Sequence, residues 1–70
     1  MPRWVPVEET GILLREKKGY VLSLSGGGHW ILEDLPWRIG KYLGKRVTIN
    51  GTRVGFNCIS VKQINFVETG

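Results

Sequence analysis

Asp34-Leu35-Pro36-Trp37-Arg38-Ile39-Gly40-Lys41-Tyr42-Leu43-Gly44 is the stretch whose reading decides the fold. It carries the helical punctuation of the chain, and the segments on both sides read as strands. Asp34 has the short acceptor side chain of an N-cap, and Pro36 falls in the first turn, where a missing N–H costs nothing. Leu35, Ile39, Tyr42 and Leu43 recur at helical spacing and make one apolar stripe. Lys41 suits the C-terminal end of the dipole, and Gly44 can take the left-handed conformation that stops a helix. Gly40 costs about 1 kcal/mol against Ala, so the helix depends on packing. The pattern predicts one short helix over 34–43.

Towards the N-terminus, His29–Glu33 reads as a strand with Trp30 and Leu32 inward, preceded by the connection Gly26-Gly27-Gly28. Tyr20–Ser25 alternates, with Tyr20, Leu22 and Leu24 on one face and Val21, Ser23 and Ser25 on the other. Lys18-Gly19 is the expected turn. Before it, Val7–Lys17 reads as a long strand in which Gly11 marks a bulge or bend, and a bent first strand serving two sheets is how a small barrel closes. Residues 1–6, with two prolines, are expected to form an extended arm.

Towards the C-terminus, Lys45–Arg53 alternates with Val47 and Ile49 inward. Asn50-Gly51 is a strong hairpin dipeptide. A bulge at Gly51 and a turn at Val54-Gly55-Phe56-Asn57 nevertheless leave a strand of more ordinary length. Cys58–Phe66 is the last strand, with Ile59, Val61 and Ile64 buried and a register break near Gln63; residues 67–70 form a frayed tail. The expected order is three strands, a helix and two strands in a single domain over 1–70. That order predicts an all-β, five-stranded Greek-key barrel of the OB-fold type, its helix between strands 3 and 4. An SH3-like barrel would not usually insert a two-turn helix there.

Seventy residues bury only roughly 60% of their surface on folding, so the core must be used well. Hydrophobic residues make up 41% of the chain, enough for a β core without metal or disulfide. Cys58 is the one cysteine, which excludes an internal bridge and fits a reducing compartment. Residues 1–10 carry Arg3, Glu8 and Glu9 and no long apolar run, and no segment approaches the ~20 apolar residues of a membrane span. A cytoplasmic monomer without membrane contact is expected. Ten Lys and Arg against six Asp and Glu give +4, a balance that favours polyanionic partners.

Gly11-Ile12-Leu13, Tyr20-x-Leu22, Trp30-x-Leu32, Leu43-Gly44-Lys45-x-Val47-x-Ile49-x-Gly51 and Ile59-x-Val61-x-x-Ile64 together resemble small single-domain bacterial OB-fold proteins of unknown function. The resemblance spans about residues 10 to 66. Its motifs are glycines at bends and apolar residues at barrel positions, so it implies the fold and not the ligand.

One His, one Cys and no cluster of acids exclude a nucleophilic triad or a metal site of usual ligands, and neither catalysis nor a cofactor is expected. His29 reads as a solvent-facing strand residue after a turn. Ser25-Gly26-Gly27-Gly28 lacks the Gly-Lys-Ser/Thr ending of a phosphate loop. Glu8-Glu9 and Glu33-Asp34 read as solvated charge, with Asp34 also serving as the cap.

The reading left is a non-enzymatic binding module. An OB-fold takes its ligand across strands 2 and 3, between the loops joining strands 1–2 and 4–5. Arg15, Lys17 and Lys18 fall in the first loop and Arg53 and Phe56 in the second, so these five are the expected contacts to single-stranded RNA or DNA. The outward set Val21, Ser23, Ser25, His29, Ile31 and Glu33 contains no aromatic ring for bases to stack on, so binding is expected to be weak and indifferent to sequence. The alternative is a protein partner on the outer side of the helix, where Trp37, Arg38 and Lys41 would sit near the Trp4 arm.

Overall fold

Alternating apolar residues build the strands, and two glycines let them close. The computed structural model describes residues 5–36 and 38–67. Within them lie β1 (Val5–Glu16), β2 (Gly19–Ser23), β3 (His29–Glu33), β4 (Arg46–Arg53) and β5 (Cys58–Phe66). The protein is all-β. Its sheet closes in a ring in the order β1-β2-β3-β5-β4, with β1 also paired to β4. The β3–β5 pairing is parallel and the other four are antiparallel.

β1 closes the ring because it belongs to two ladders. Val5 to Ile12 pair with β4, from Val5↔Arg53 to Ile12↔Arg46, and Ile12 to Glu16 pair with β2, from Ile12↔Ser23 to Glu16↔Gly19. Gly11 stands beside this crossing, where a Cβ would meet the Ser23 carbonyl oxygen well inside contact distance. Gly51 is its counterpart on β4, where a Cβ would meet the Ser60 carbonyl oxygen. The register between β4 and β5 slips there: Asn50 faces Gln63 and Gly51 faces Val61, leaving Lys62 as the extra residue of a bulge. The expected irregularity at Gly51 and break near Gln63 are both present, while β1 passes Gly11 in unbroken register.

Period-two alternation sends Leu13, Leu22, Leu32, Val47, Ile49, Ile59, Val61 and Ile64 into the ring, joined by Ile39 from the segment between β3 and β4. Burial of each such side chain contributes about 1.5–3 kcal/mol. Tyr20, Leu24 and Trp30, on the same faces, pack against this core while half-buried.

The helix expected over 34–43 does not form. Among the described residues, what stands between β3 and β4 is one 3-10 turn, Ile39–Tyr42, preceded by Arg38 with no side-chain cap. Asp34 does not cap it. Its φ is +56°, and its carboxylate accepts the Ser60 hydroxyl at 2.6 Å, which uses the cap on β5. At the other end Gly44, at φ +75°, donates its N–H to the Leu13 carbonyl at 2.7 Å, and the Leu13 N–H is donated to the Lys45 carbonyl at 3.1 Å. The segment is tied to the sheet at both ends, and the span left is too short for α-helical propagation. The apolar stripe breaks with it, so Ile39 is buried while Leu43 is 38% exposed.

Four smaller expectations also shift. Val5 and Pro6 belong to β1 and not to an arm, because they pair with Arg53 and Thr52. β2 ends at Ser23 and not at Ser25, because the Leu24 N–H is donated to the Gly28 carbonyl and begins the turn. The β1–β2 turn is Lys17-Lys18, one residue earlier than expected, with Gly19 already paired. Val67 donates its N–H to the Arg46 carbonyl at 3.0 Å, so the tail stays with the sheet through that residue. Among the described residues no helix is long and apolar enough to cross a membrane.

Candidate functional site

The outer surface of the ring divides in two. On β1 and β4 it is polar, with Thr10 and Thr48 sharing a hydroxyl hydrogen bond of 2.9 Å and Glu8 paired with Asn50. On the second half of β1, β2 and β3 it is apolar at its centre. Leu14 pairs with Val21, and Val21 with Ile31, so three aliphatic side chains of outward parity stand in one row. Val21 is only 3% exposed although it lies outside the core cluster, and Leu14 is 36% exposed. The doublets Leu13-Leu14, Val21-Leu22 and Ile31-Leu32 carry the signal for this row, since adjacent apolar residues on a strand must place one on each face.

One end of this face is cationic. Lys17 and Lys18 form the β1–β2 turn, and the Arg15 guanidinium carbon lies 5.6 Å from the centre of the Tyr20 ring, its register partner. Arg15, Glu16, Lys17 and Lys18 line an open depression of about 740 Å³ together with His29. All five side chains are exposed. The depression thus takes in three of the five expected nucleic-acid contacts and extends to His29, which pairs with Ser23 towards the opposite end of β3 from the turn and which the sequence offered only as a solvent-facing strand residue.

The other two residues stand at the far end of β3. Register puts β3's last residues beside the β1–β2 turn and its first residues beside the β4–β5 loop, where Asn57 accepts the Ile31 N–H at 2.7 Å. The Val54 N–H is donated to the Cys58 carbonyl at 3.0 Å, which closes that loop at its base. Arg53 spans it: Nε donates to the Gly55 carbonyl at 3.0 Å and Nη2 to the Phe56 carbonyl at 2.9 Å. Its guanidinium carbon also lies 6.0 Å from the centre of the Trp30 ring. Phe56, at the loop's apex, is 89% exposed.

Along the β3–β5 pairing, the Cys58 thiol donates to Glu33 Oε2 at 3.3 Å, beside the Ser60–Asp34 bond. Glu33 and Asp34 are therefore hydrogen-bond acceptors for β5, and not only the solvated charge the sequence suggested. Burial, and then the Glu33 carboxylate, push the Cys58 thiol above its ordinary pKa, the wrong direction for a nucleophile. Among the described residues no group of three or more His, Cys, Asp or Glu could hold a metal ion.

Of the residues expected to meet a protein partner, Trp4 and Trp37 lie outside the described residues. Arg38 and Lys41 are exposed beside the short helical turn, and Lys41 Nζ lies 5.2 Å from the centre of the Tyr42 ring. Tyr42 packs on Phe66 with ring centres 4.5 Å apart, and Phe66 stays 50% exposed.

No curated protein and no solved structure matches the chain. A family model does match, over residues 10–65, from the last residues of β1's first half almost to the end of β5. The match takes in the Gly11 crossing, the cationic turn and the Phe56 loop alike, and the chain belongs to the family described as "Protein of unknown function (DUF5818)".

Proposed function

We propose that the ring is an OB-fold-like Greek-key barrel and that it works as a small non-enzymatic module binding single-stranded nucleic acid, weakly and with little regard to sequence. The strand order, with β1 shared between β2 and β4 and a parallel β3–β5 pairing, supports the barrel. The observation that carries the binding reading is the layout of one outer face. An aliphatic row, Leu14–Val21–Ile31, lies between a turn bearing Arg15, Lys17 and Lys18 and a loop bearing the exposed Phe56. A flexible strand of alternating anionic and planar groups fits such a face: phosphates against the cations, sugars and bases over the accessible Leu14 and Ile31 that flank the covered Val21. Aliphatic side chains offer no aromatic plane, and base stacking on such planes supplies about 1–3 kcal/mol per base. Affinity is therefore micromolar or weaker.

The test is fluorescence anisotropy of labelled oligo-dT and oligo-U at two salt concentrations, with wild type and Lys17→Glu/Lys18→Glu. Binding that weakens with salt and is lost in the double variant supports the reading. Absence of binding at low salt removes it. In that case the protein-partner reading gains, through Arg38, Lys41 and Trp37. Its supporting observation is the half-exposed Phe66 stacked on Tyr42 beside Lys41.

A further inference from the structure

We infer that Phe56 is a preorganised base-stacking contact and that Arg53 is a positioning residue for it, not a phosphate ligand. The inference rests on the nucleic-acid reading above and assigns separate roles within that site. An apolar ring 89% exposed at a loop apex gains nothing from folding, and a flexible loop would let it collapse onto nearby apolar surface. This loop is held instead. The Val54–Cys58 and Ile31–Asn57 backbone bonds fasten both of its ends to the sheet, and the two Arg53 bonds to the Gly55 and Phe56 carbonyls fix the apex between them. The planar guanidinium makes both bonds from one rigid fork while lying over Trp30. Two of its donors are thereby used inside the loop, so its main effect on a ligand passes through the Phe56 backbone it positions. A loop backbone held in place before the ligand arrives presents the ring at a fixed point and loses no backbone freedom on binding, which is where preorganisation gains affinity.

Phosphate contact and base stacking separate experimentally. The probes are fluorescein-labelled oligo-dT and an abasic oligomer of the same length. The proteins are wild type, Phe56→Ala, Arg53→Lys and the double variant, each checked for folding by circular dichroism at the assay temperature. Phe56→Ala is expected to weaken oligo-dT binding at least about fivefold, the lower bound for one base stack, and to leave abasic binding unchanged. Arg53→Lys keeps the charge but loses the fork. It is expected to weaken oligo-dT by a similar factor, to leave the salt slope unchanged, and to add nothing once Phe56 is Ala. A phosphate ligand would instead tolerate Lys and cost the same in both backgrounds. That result overturns the inference and leaves the nucleic-acid reading standing, as does Phe56→Ala binding like wild type. If wild type fails to bind oligo-dT at low salt, both fall together. Should Arg53→Lys not fold, Phe56→Trp decides: emission above the wild-type signal must change with oligo-dT and not with the abasic oligomer, and equal response to both overturns the stacking role.

Discussion

Ser60 donates its hydroxyl to Asp34 across 2.6 Å, and this contact between β5 and the end of β3 occupies the residue that would otherwise cap a helix. Asp34 meets its partner with φ at +56°, a conformation that Asn and Asp tolerate better than most residues. The bond thus fixes where β3 stops and how the chain turns towards β4.

Asp34→Ala should lower stability by about 1–2 kcal/mol, losing the bond while keeping the left-handed backbone. Asp34→Asn, which keeps an acceptor and tolerates that backbone, should stay within about 0.5 kcal/mol of wild type. Urea unfolding of both variants checks this. Equal stability of the Ala and Asn proteins would show that the bond contributes nothing.

Gly11→Ala and Gly51→Ala should each unfold the domain or cost more than about 3 kcal/mol, because the added methyl group meets the Ser23 or Ser60 carbonyl oxygen and the ladder must open. Gly26→Ala is the control, since nothing lies within 4 Å of a Cβ there. It should melt within a few degrees of wild type. A folded, native-like Gly11→Ala protein would mean that β1 does not cross between two ladders at this point.

Trp30→Ala should cost about 3 kcal/mol, the low end for deleting a large aromatic, because Trp30 is half-buried between the core and the Arg53 guanidinium. Chemical denaturation measures it. A variant that stays as stable as wild type but no longer binds oligo-dT would place Trp30 in the ligand face and not under it.

The salt dependence of oligomer binding should correspond to about three phosphates, from Arg15, Lys17 and Lys18, which at ~0.7 per phosphate is a log–log slope near −2. Counting Arg53 as a fourth contact would steepen it towards −3. Titrations across salt concentrations distinguish the two, and a slope near zero would exclude the cationic turn from binding.

Cys58 should be a slow thiol. Burial and the Glu33 carboxylate raise its pKa, so the thiolate fraction near neutral pH is below that of a free cysteine. Alkylation by iodoacetamide should be slower than for glutathione and faster in Glu33→Gln than in wild type. The linked sign follows: the native state keeps its thiol proton longer than the unfolded chain, so this group's contribution to stability is present below the ordinary thiol pKa and is lost as pH rises through the raised one. Wild type that alkylates as fast as glutathione would refute the shift.

Sequence alone determined the five strands to within a few residues and most of their inward side chains, since the parity of Leu22, Leu32, Val47, Ile49, Ile59, Val61 and Ile64 is a local property of alternating side chains. The turn at Val54–Asn57 and the irregularity at Gly51 were equally legible, because strand length and glycine spacing constrain both. Tertiary structure decided what depends on distant partners. Asp34 reads as a helix cap until Ser60 takes its carboxylate, and Gly44 reads as a helix stop until its N–H meets the Leu13 carbonyl. Arg53 reads as a free cation until its guanidinium turns back onto its own loop. Val21 reads as an exposed strand residue until the pairing flanks it with Leu14 and Ile31. Each of these groups has a local use that sequence displays, and a competing partner elsewhere in the chain that only the closed ring brings within hydrogen-bonding or packing distance.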